Sequence, residues 1–258
     1  MRIYPGTIIH RTQDEFGIID VVQEARTRSL YFGAPPQQSS MLLRDPVQLV
    51  FAYTRAMMAC LLFNDKPRSA LLIGLGGGSL AKFLLHHFPD CRVDAVENRA
   101  SVADLAHRFF HLPEDPRLRI HIGDGGEFVR AVSTAQDGYD FLLVDAYDAA
   151  GMVSSVSGLA FFDACRARLA RHGILSINLW SGDRDGLDGT LQALQRSFDG
   201  FLLQLPVEAK GNVIALAGNR PFPVSYQKMA REPLKAMEAR FGIEFSHFLS
   251  RLRPAELA

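Results

Sequence analysis

Apolar positions change their period along the chain, and the change marks out the architecture. Residues 1–45 alternate in short stretches: Thr7–His10, Phe16–Gln23 and Arg28–Phe32 are rich in β-branched and aromatic residues and read as strands separated by polar turns. Gly33-Ala34-Pro35-Pro36-Gln37-Gln38-Ser39-Ser40 reads as a loop. Asp45-Pro46 has the form of an N-cap followed by proline in the first helical turn. The helix it opens is expected to run from Pro46 to Phe63, with Val47, Val50, Phe51, Met57, Met58, Leu61 and Leu62 on its apolar face.

From residue 70 onward, short apolar runs alternate with helical patterns. Strands are expected at Ala70–Ile73, Arg92–Val96, Leu118–Ile122, Tyr139–Val144 and Gly173–Trp180. Helices are expected at Leu80–Phe88, Ser101–Phe110, Glu127–Thr134, Leu159–Leu169 and Leu187–Phe198. Continuously apolar strands with helices between them imply a parallel sheet covered on both faces. Phe201–Val207 and Val213–Ala217 leave no room for a helix between them and so predict an antiparallel hairpin. The fold class is α/β: a Rossmann-type, class I methyltransferase-like sheet, preceded by a small N-terminal β domain. Its parts are residues 1–45, residues 46–220 with a connecting helix over 46–66, and a helical tail over 221–258.

Composition narrows the function classes. Lys+Arg and Asp+Glu both number 28, so the net charge is zero, which argues against a general nucleic-acid binder. No apolar run approaches the ~20 residues of a membrane span, and the N-terminus lacks a secretory pattern. Cys60, Cys91 and Cys165 have neither disulfide nor zinc spacing and read as reduced core thiols, with the cytoplasm as the default location.

Chemistry is sought at the carboxyl ends of the strands, where open α/β sheets bind ligands. Gly74-Leu75-Gly76-Gly77-Gly78-Ser79 follows a strand and opens a helix, the context in which glycines let a ligand approach free backbone N–H groups. Glu97 ends the next strand, close to the ~20-residue spacing of an acid that accepts from ribose hydroxyls. Asp124 in Gly123-Asp124-Gly125-Gly126 is placed to accept from the adenine amine, or to cap a helix. Asp145-Ala146-Tyr147-Asp148 sets two carboxylates near one strand end, suited to a cationic substrate or to taking a proton from an amine. Trp180 reads either as a pocket wall or as plain packing.

These residues, over about 14–180, resemble the spermidine synthase family, the polyamine aminopropyltransferases. The most specific feature is Asp-x-x-Asp at Asp145 and Asp148, supported by Glu97 and Asp124-Gly125. The resemblance implies transfer of an aminopropyl group from decarboxylated S-adenosylmethionine to putrescine or another polyamine, releasing methylthioadenosine, with no prosthetic group and no metal. It implies Asp145 as catalytic base, Asp148 and Tyr53 as amine-binding residues, and Gln38, Gly74, Gly76, Gly78, Glu97, Asp124 and Gly125 around the nucleoside. It also implies a homodimer. Three departures stand out: the aspartate of the family's Gly-Gly-Asp-Gly-Gly loop falls at Gly76, its Tyr-His-Glu triplet reads Tyr53-Thr54-Arg55, and the proline after Asp-x-x-Asp is Ala149. The alternatives are an S-adenosylmethionine-dependent methyltransferase and a nucleoside-binding homologue without turnover.

Overall fold

Four antiparallel strands, β1 (Thr7–Asp14), β2 (Gly17–Gln23), β3 (Thr27–Tyr31) and β4 (Gln37–Leu42), form an N-terminal sheet in sequential order. The structure, a computed structural model, describes residues 4–131, 138–146, 154–208, 211–223, 226 and 228–255. Strand β4 replaces the second half of the loop expected over 33–40. Its QQSSML sequence lacks the β-branched residues that signal a strand. Its pairing with β3 is reinforced by side chains: Ser29 and Ser40 hydroxyls lie 3.1 Å apart, and Gln37 donates to the Tyr31 hydroxyl at 3.0 Å.

The expected helix from Pro46 begins later. Helix α1 spans Ala52–Met57 and tightens into a 3₁₀ segment over Met58–Leu62. Asp45 accepts from Gln48 N–H and so closes a turn rather than capping a helix. The Leu49 and Val50 carbonyls, which a helix would have used, accept from the Arg55 guanidinium at 3.2 and 2.9 Å.

The second sheet contains β5 (Ser69–Ile73), β6 (Arg92–Glu97), β7 (Leu118–Ile122), β8 (Tyr139–Val144), β9 (Leu169–Trp180), β10 (Leu202–Pro206), β11 (Asn212–Gly218) and β12 (Arg253–Pro254). Their order is β12-β10-β11-β9-β8-β5-β6-β7. Strands β5 to β9 pair in parallel, and β10 and β11 form the expected antiparallel hairpin, with β11 antiparallel to β9. This is the α/β class read from the sequence. Strand β9 starts at Leu169, earlier than Gly173.

Helices α2 (Ser79–His87), α3 (Ala100–Phe109), α4 (Gly125–Arg130), α5 (Leu159–Arg168) and α6 (Arg184–Ser197) connect the strands. The expected end of α4, 132–134, lies outside the described residues. Apolar side chains from alternate positions of the strands fill a core on each face, for example Leu72 and Phe141 on one and Leu71 and Leu142 on the other. The C-terminal helices α7 (Arg231–Phe241) and α8 (Phe245–Arg251) add Phe241, Phe245 and Phe248 to the first of these cores. Strand β12 then returns to pair with β10.

The N-terminal sheet sits on α3: Ile19, Val21, Leu30 and Met41 pack with Val102, Leu105 and Phe110. It is also clamped by Arg99, whose guanidinium donates to Asp14 at 2.6 and 3.0 Å and to the Gly17 carbonyl at 2.8 Å, and lies over the Phe32 ring. Burial pushes the Asp14 carboxyl up, but hydrogen bonds from Arg99 and Phe16 N–H hold it below its ordinary value. The sheet therefore overhangs the strand ends, where a cleft forms. Strand order reverses between β5 and β8, so the crevice that binds ligands in such sheets lies between the ends of these two strands.

Candidate active site

Asp145 follows β8 and Gly74 follows β5, and the two are locked side by side. Asp145 N–H donates to the Ile73 carbonyl at 2.9 Å. A Cβ at Gly74 would stand 2.2 Å from the Asp145 carbonyl oxygen, and Gly74 has φ +96, so no other residue fits there.

The glycine loop wraps around a carboxylate. Glu97 Oε2 accepts from Leu75 N–H at 3.1 Å and Gly76 N–H at 3.4 Å, while Oε1 accepts from Arg99 N–H at 2.9 Å. Burial pushes the Glu97 carboxyl above its ordinary pKa, and these backbone donors oppose the rise. Glu97 thus shapes the loop as well as facing the cleft, a role not read from the sequence. Asp124 caps α4 through Glu127 N–H at 2.8 Å and accepts from the Ser155 hydroxyl with its other oxygen. Gly125 brings α4 against β5: a Cβ there would lie 2.4 Å from Ile73 Cγ2.

Asp145 has neutral partners. The Tyr53 hydroxyl donates to Oδ2 at 3.1 Å and Asn178 Nδ2 donates to Oδ1 at 3.0 Å. Asn178 Oδ1 in turn accepts from Asn212 Nδ2 at 2.9 Å. Burial pushes the Asp145 carboxyl up, and the bonds from Asn178 and Tyr53 pull it back only in part. No ion pair reaches it among the described residues. Neither asparagine was picked out from sequence, since a single Asn at a strand end carries no motif.

One cleft of about 1390 Å³ gathers Gln38, Tyr53, Gly74, Gly76, Glu97, Asp124, Gly125 and Asp145. Gln38 enters from β4, Tyr53 from α1 and the rest from the strand ends. Gly78 is different. It precedes α2 in the left-handed region at φ +71, a Cβ there would meet Leu112 at 2.7 Å, and it does not line the cleft. Gly78, expected beside the nucleoside, shapes the turn behind the loop. Asp148, the expected amine-binding partner, lies outside the described residues.

Trp180 walls the far end, 52% exposed, with its ring against Gly182 and Gly211. Among the described lining residues the acids are Glu97, Asp124, Asp145 and Asp183, and the one Lys or Arg, Arg99, is already paired with Asp14. The cleft therefore favours cations, and its volume exceeds that of a typical single-ligand pocket.

A family model, the spermine/spermidine synthase domain, matches residues 50–179. The chain belongs to the spermine/spermidine synthase family. A polyamine aminopropyltransferase of Chromobacterium violaceum is 36% identical over 236 residues, spanning 91% of this chain and 89% of that protein. A probable spermidine synthase from Corynebacterium glutamicum shares the fold, with a TM-score of 0.74 at 21% identity over 91% of this chain and 87% of that one. Human methyltransferase-like protein 13, solved in complex with SAH, has a TM-score of 0.63 at 25% identity, covering 80% of this chain and 96% of that one. A methyltransferase-like protein thus shares the fold of this chain, so fold alone does not separate the two chemistries.

Proposed function

We propose that this chain is a polyamine aminopropyltransferase. It moves the aminopropyl group of decarboxylated S-adenosylmethionine to an amine such as putrescine and releases methylthioadenosine. The observation that carries the reading is the Asp145 carboxylate: it faces a cation-favouring cleft, is held by two neutral donors and is raised in pKa by burial.

A carboxylate in this setting binds an alkylammonium and takes its proton. The acceptor amine is protonated at neutral pH, with a pKa near that of lysine, about 10.4, and attacks only after losing that proton. Asp145 receives it, and the nitrogen lone pair so freed then displaces sulfur from the adjacent carbon. The C–S bond breaks, its electrons stay on sulfur, and the sulfonium becomes the neutral thioether of methylthioadenosine. The leaving group is already cationic, so no metal is needed to activate it.

Holding nucleophile and sulfonium in line supplies much of the acceleration, and proton removal adds roughly 10²–10⁴-fold. Glu97 takes the ribose hydroxyls, Asp124 and Gly125 the adenine edge, and Gln38, Gly74 and Gly76 border the donor. Tyr53 and, by family resemblance, Asp148 hold the amine. The carboxylate of ordinary S-adenosylmethionine would be repelled by the same cleft.

The reading extends to a cytoplasmic homodimer. Strand β1 is an unpaired sheet edge with Ile8 and Ile9 exposed, the kind of edge a second copy covers.

The test is product identity. The protein is incubated with decarboxylated or ordinary S-adenosylmethionine, and putrescine, cadaverine and spermidine are offered separately. Mass spectrometry should find an aminopropylated amine with the decarboxylated donor alone. A methylated product, or binding of methylthioadenosine without turnover on any amine, would replace this reading with one of its rivals.

A further inference from the structure

Behind Asp145 the side-chain chain continues across two strands. Register places Asn178 opposite Ile214 and Asn212 opposite Trp180, so the two asparagines are diagonal neighbours on one face of the β9–β11 pair. That spacing lets their carboxamides meet, as the 2.9 Å bond between them shows.

The direction of this chain is fixed from its Asp145 end. An ionised carboxylate only accepts, whereas a carboxamide donates from nitrogen and accepts at oxygen. Asn178 must therefore turn its nitrogen toward Asp145, which turns its oxygen toward Asn212, and Asn212 must donate. Asn178 is 3% exposed. An inverted amide would set its oxygen against the carboxylate with little water to separate them, a costly arrangement for buried polar groups.

We propose that Asn212 is a positioning residue for the transfer reaction: by donating to Asn178 it reinforces the carboxamide orientation that keeps an N–H donor on Asp145. The proposal rests on Asp145 being the base in the reading above. From α1 the group facing the carboxylate is Tyr53, from β9 it is Asn178, and the end of β5 contributes backbone at Ile73 and Gly74. Asn212 is seen to reach the base through Asn178.

Asn212→Asp is the discriminating variant because it keeps the shape and, when ionised, can only accept. Asn178 can then give its nitrogen to only one of the two carboxylates, and as it turns toward the new one Asp145 loses its donor. The Asp145 carboxyl is followed by ¹³C NMR and assigned by its loss in Asp145→Asn. Its titration midpoint should rise by about one unit or more in Asn212→Asp, the scale of one hydrogen bond to a charged group. The kcat at neutral pH should fall about tenfold, by the same scale, with donor KM unmoved.

The new charge could act through space, so the same change is made in an Asn178→Ala background, where the relay predicts that most of the rise disappears. Asn212→Leu, a neutral variant that removes the donor, should raise the midpoint in the same direction and decides the matter if Asn212→Asp does not fold. An unmoved midpoint, or an equal rise in both backgrounds, overturns the proposal. A wild type that transfers no aminopropyl group would instead remove the proposed reaction, while the NMR midpoint still decides the relay.

Discussion

The Tyr53 hydroxyl on α1 donates to Asp145 Oδ2 at 3.1 Å, joining the helix that follows the N-terminal sheet to the end of a central strand. The bond favours the ionised carboxylate, so its loss must raise a pKa that burial already raises. In Tyr53→Phe the acidic limb of the kcat profile should therefore move to higher pH. A hydrogen bond to a charged group contributes roughly 1.5–3 kcal/mol, so kcat at neutral pH should fall about tenfold or more. Steady-state rates over a pH series measure this; an unmoved limb would mean that Tyr53 does not tune the base.

By the family resemblance, Gly76 takes the place of an aspartate, and the position has room for one. Its φ is +53, a region that Asp tolerates better than most residues, and a Cβ there would meet Ser39 Cβ no closer than 3.5 Å. Gly76→Asp is expected to fold and to bind the decarboxylated donor more tightly relative to S-adenosylmethionine, because it adds a carboxylate beside the donor's ammonium. Gly74→Ala, with its 2.2 Å clash, should fail to fold at all. Calorimetry with both donors checks the first; a folded Gly76→Asp protein with unchanged preference would mean that the aspartate's place lies elsewhere in the loop.

Much of the cleft lining was legible because strand ends announce themselves: an apolar run followed by Gly or an acid picks out Gly74, Glu97, Asp124 and Asp145, which line one cleft. Strands β7 and β8 fall where their apolar runs predict. What was missed has physical causes. In β4 the pairing is reinforced by Ser and Gln hydrogen bonds, which leave no apolar period. The late start of α1 follows from Arg55 capturing two carbonyls, and that guanidinium is itself held by Glu244 of the distant C-terminal region at 3.0 Å. Asn178 and Asn212 matter only through the side chains that pairing brings beside them. The set-back position of Gly78 depends on Leu112, which no local reading supplies.

Asp145 should also cost the fold stability. Its folded-state pKa lies above the ordinary 3.8, so folding disfavours the charged form. Stability from this group is greatest below the ordinary value and is lost as pH rises through the raised one. Asp145→Asn removes that loss and can keep both neighbours, accepting from Asn178 and donating to the Tyr53 oxygen. Its melting temperature should exceed that of the wild type at pH 7, and the gap should close toward pH 4. Scanning calorimetry at the two pH values decides; a variant less stable at pH 7 would contradict the assignment of a destabilising buried charge.

The central claim is most directly exposed by release of methylthioadenosine from decarboxylated S-adenosylmethionine and putrescine, measured for the wild type and Asp145→Asn under the same conditions. The wild type should turn over. The variant should be slower by at least ~10²-fold, the lower end for losing a general base, while still binding methylthioadenosine as the wild type does, because the proposed reading gives nucleoside recognition to Glu97 and Asp124. Equal turnover by the two proteins would show that Asp145 is not the base and would contradict the account.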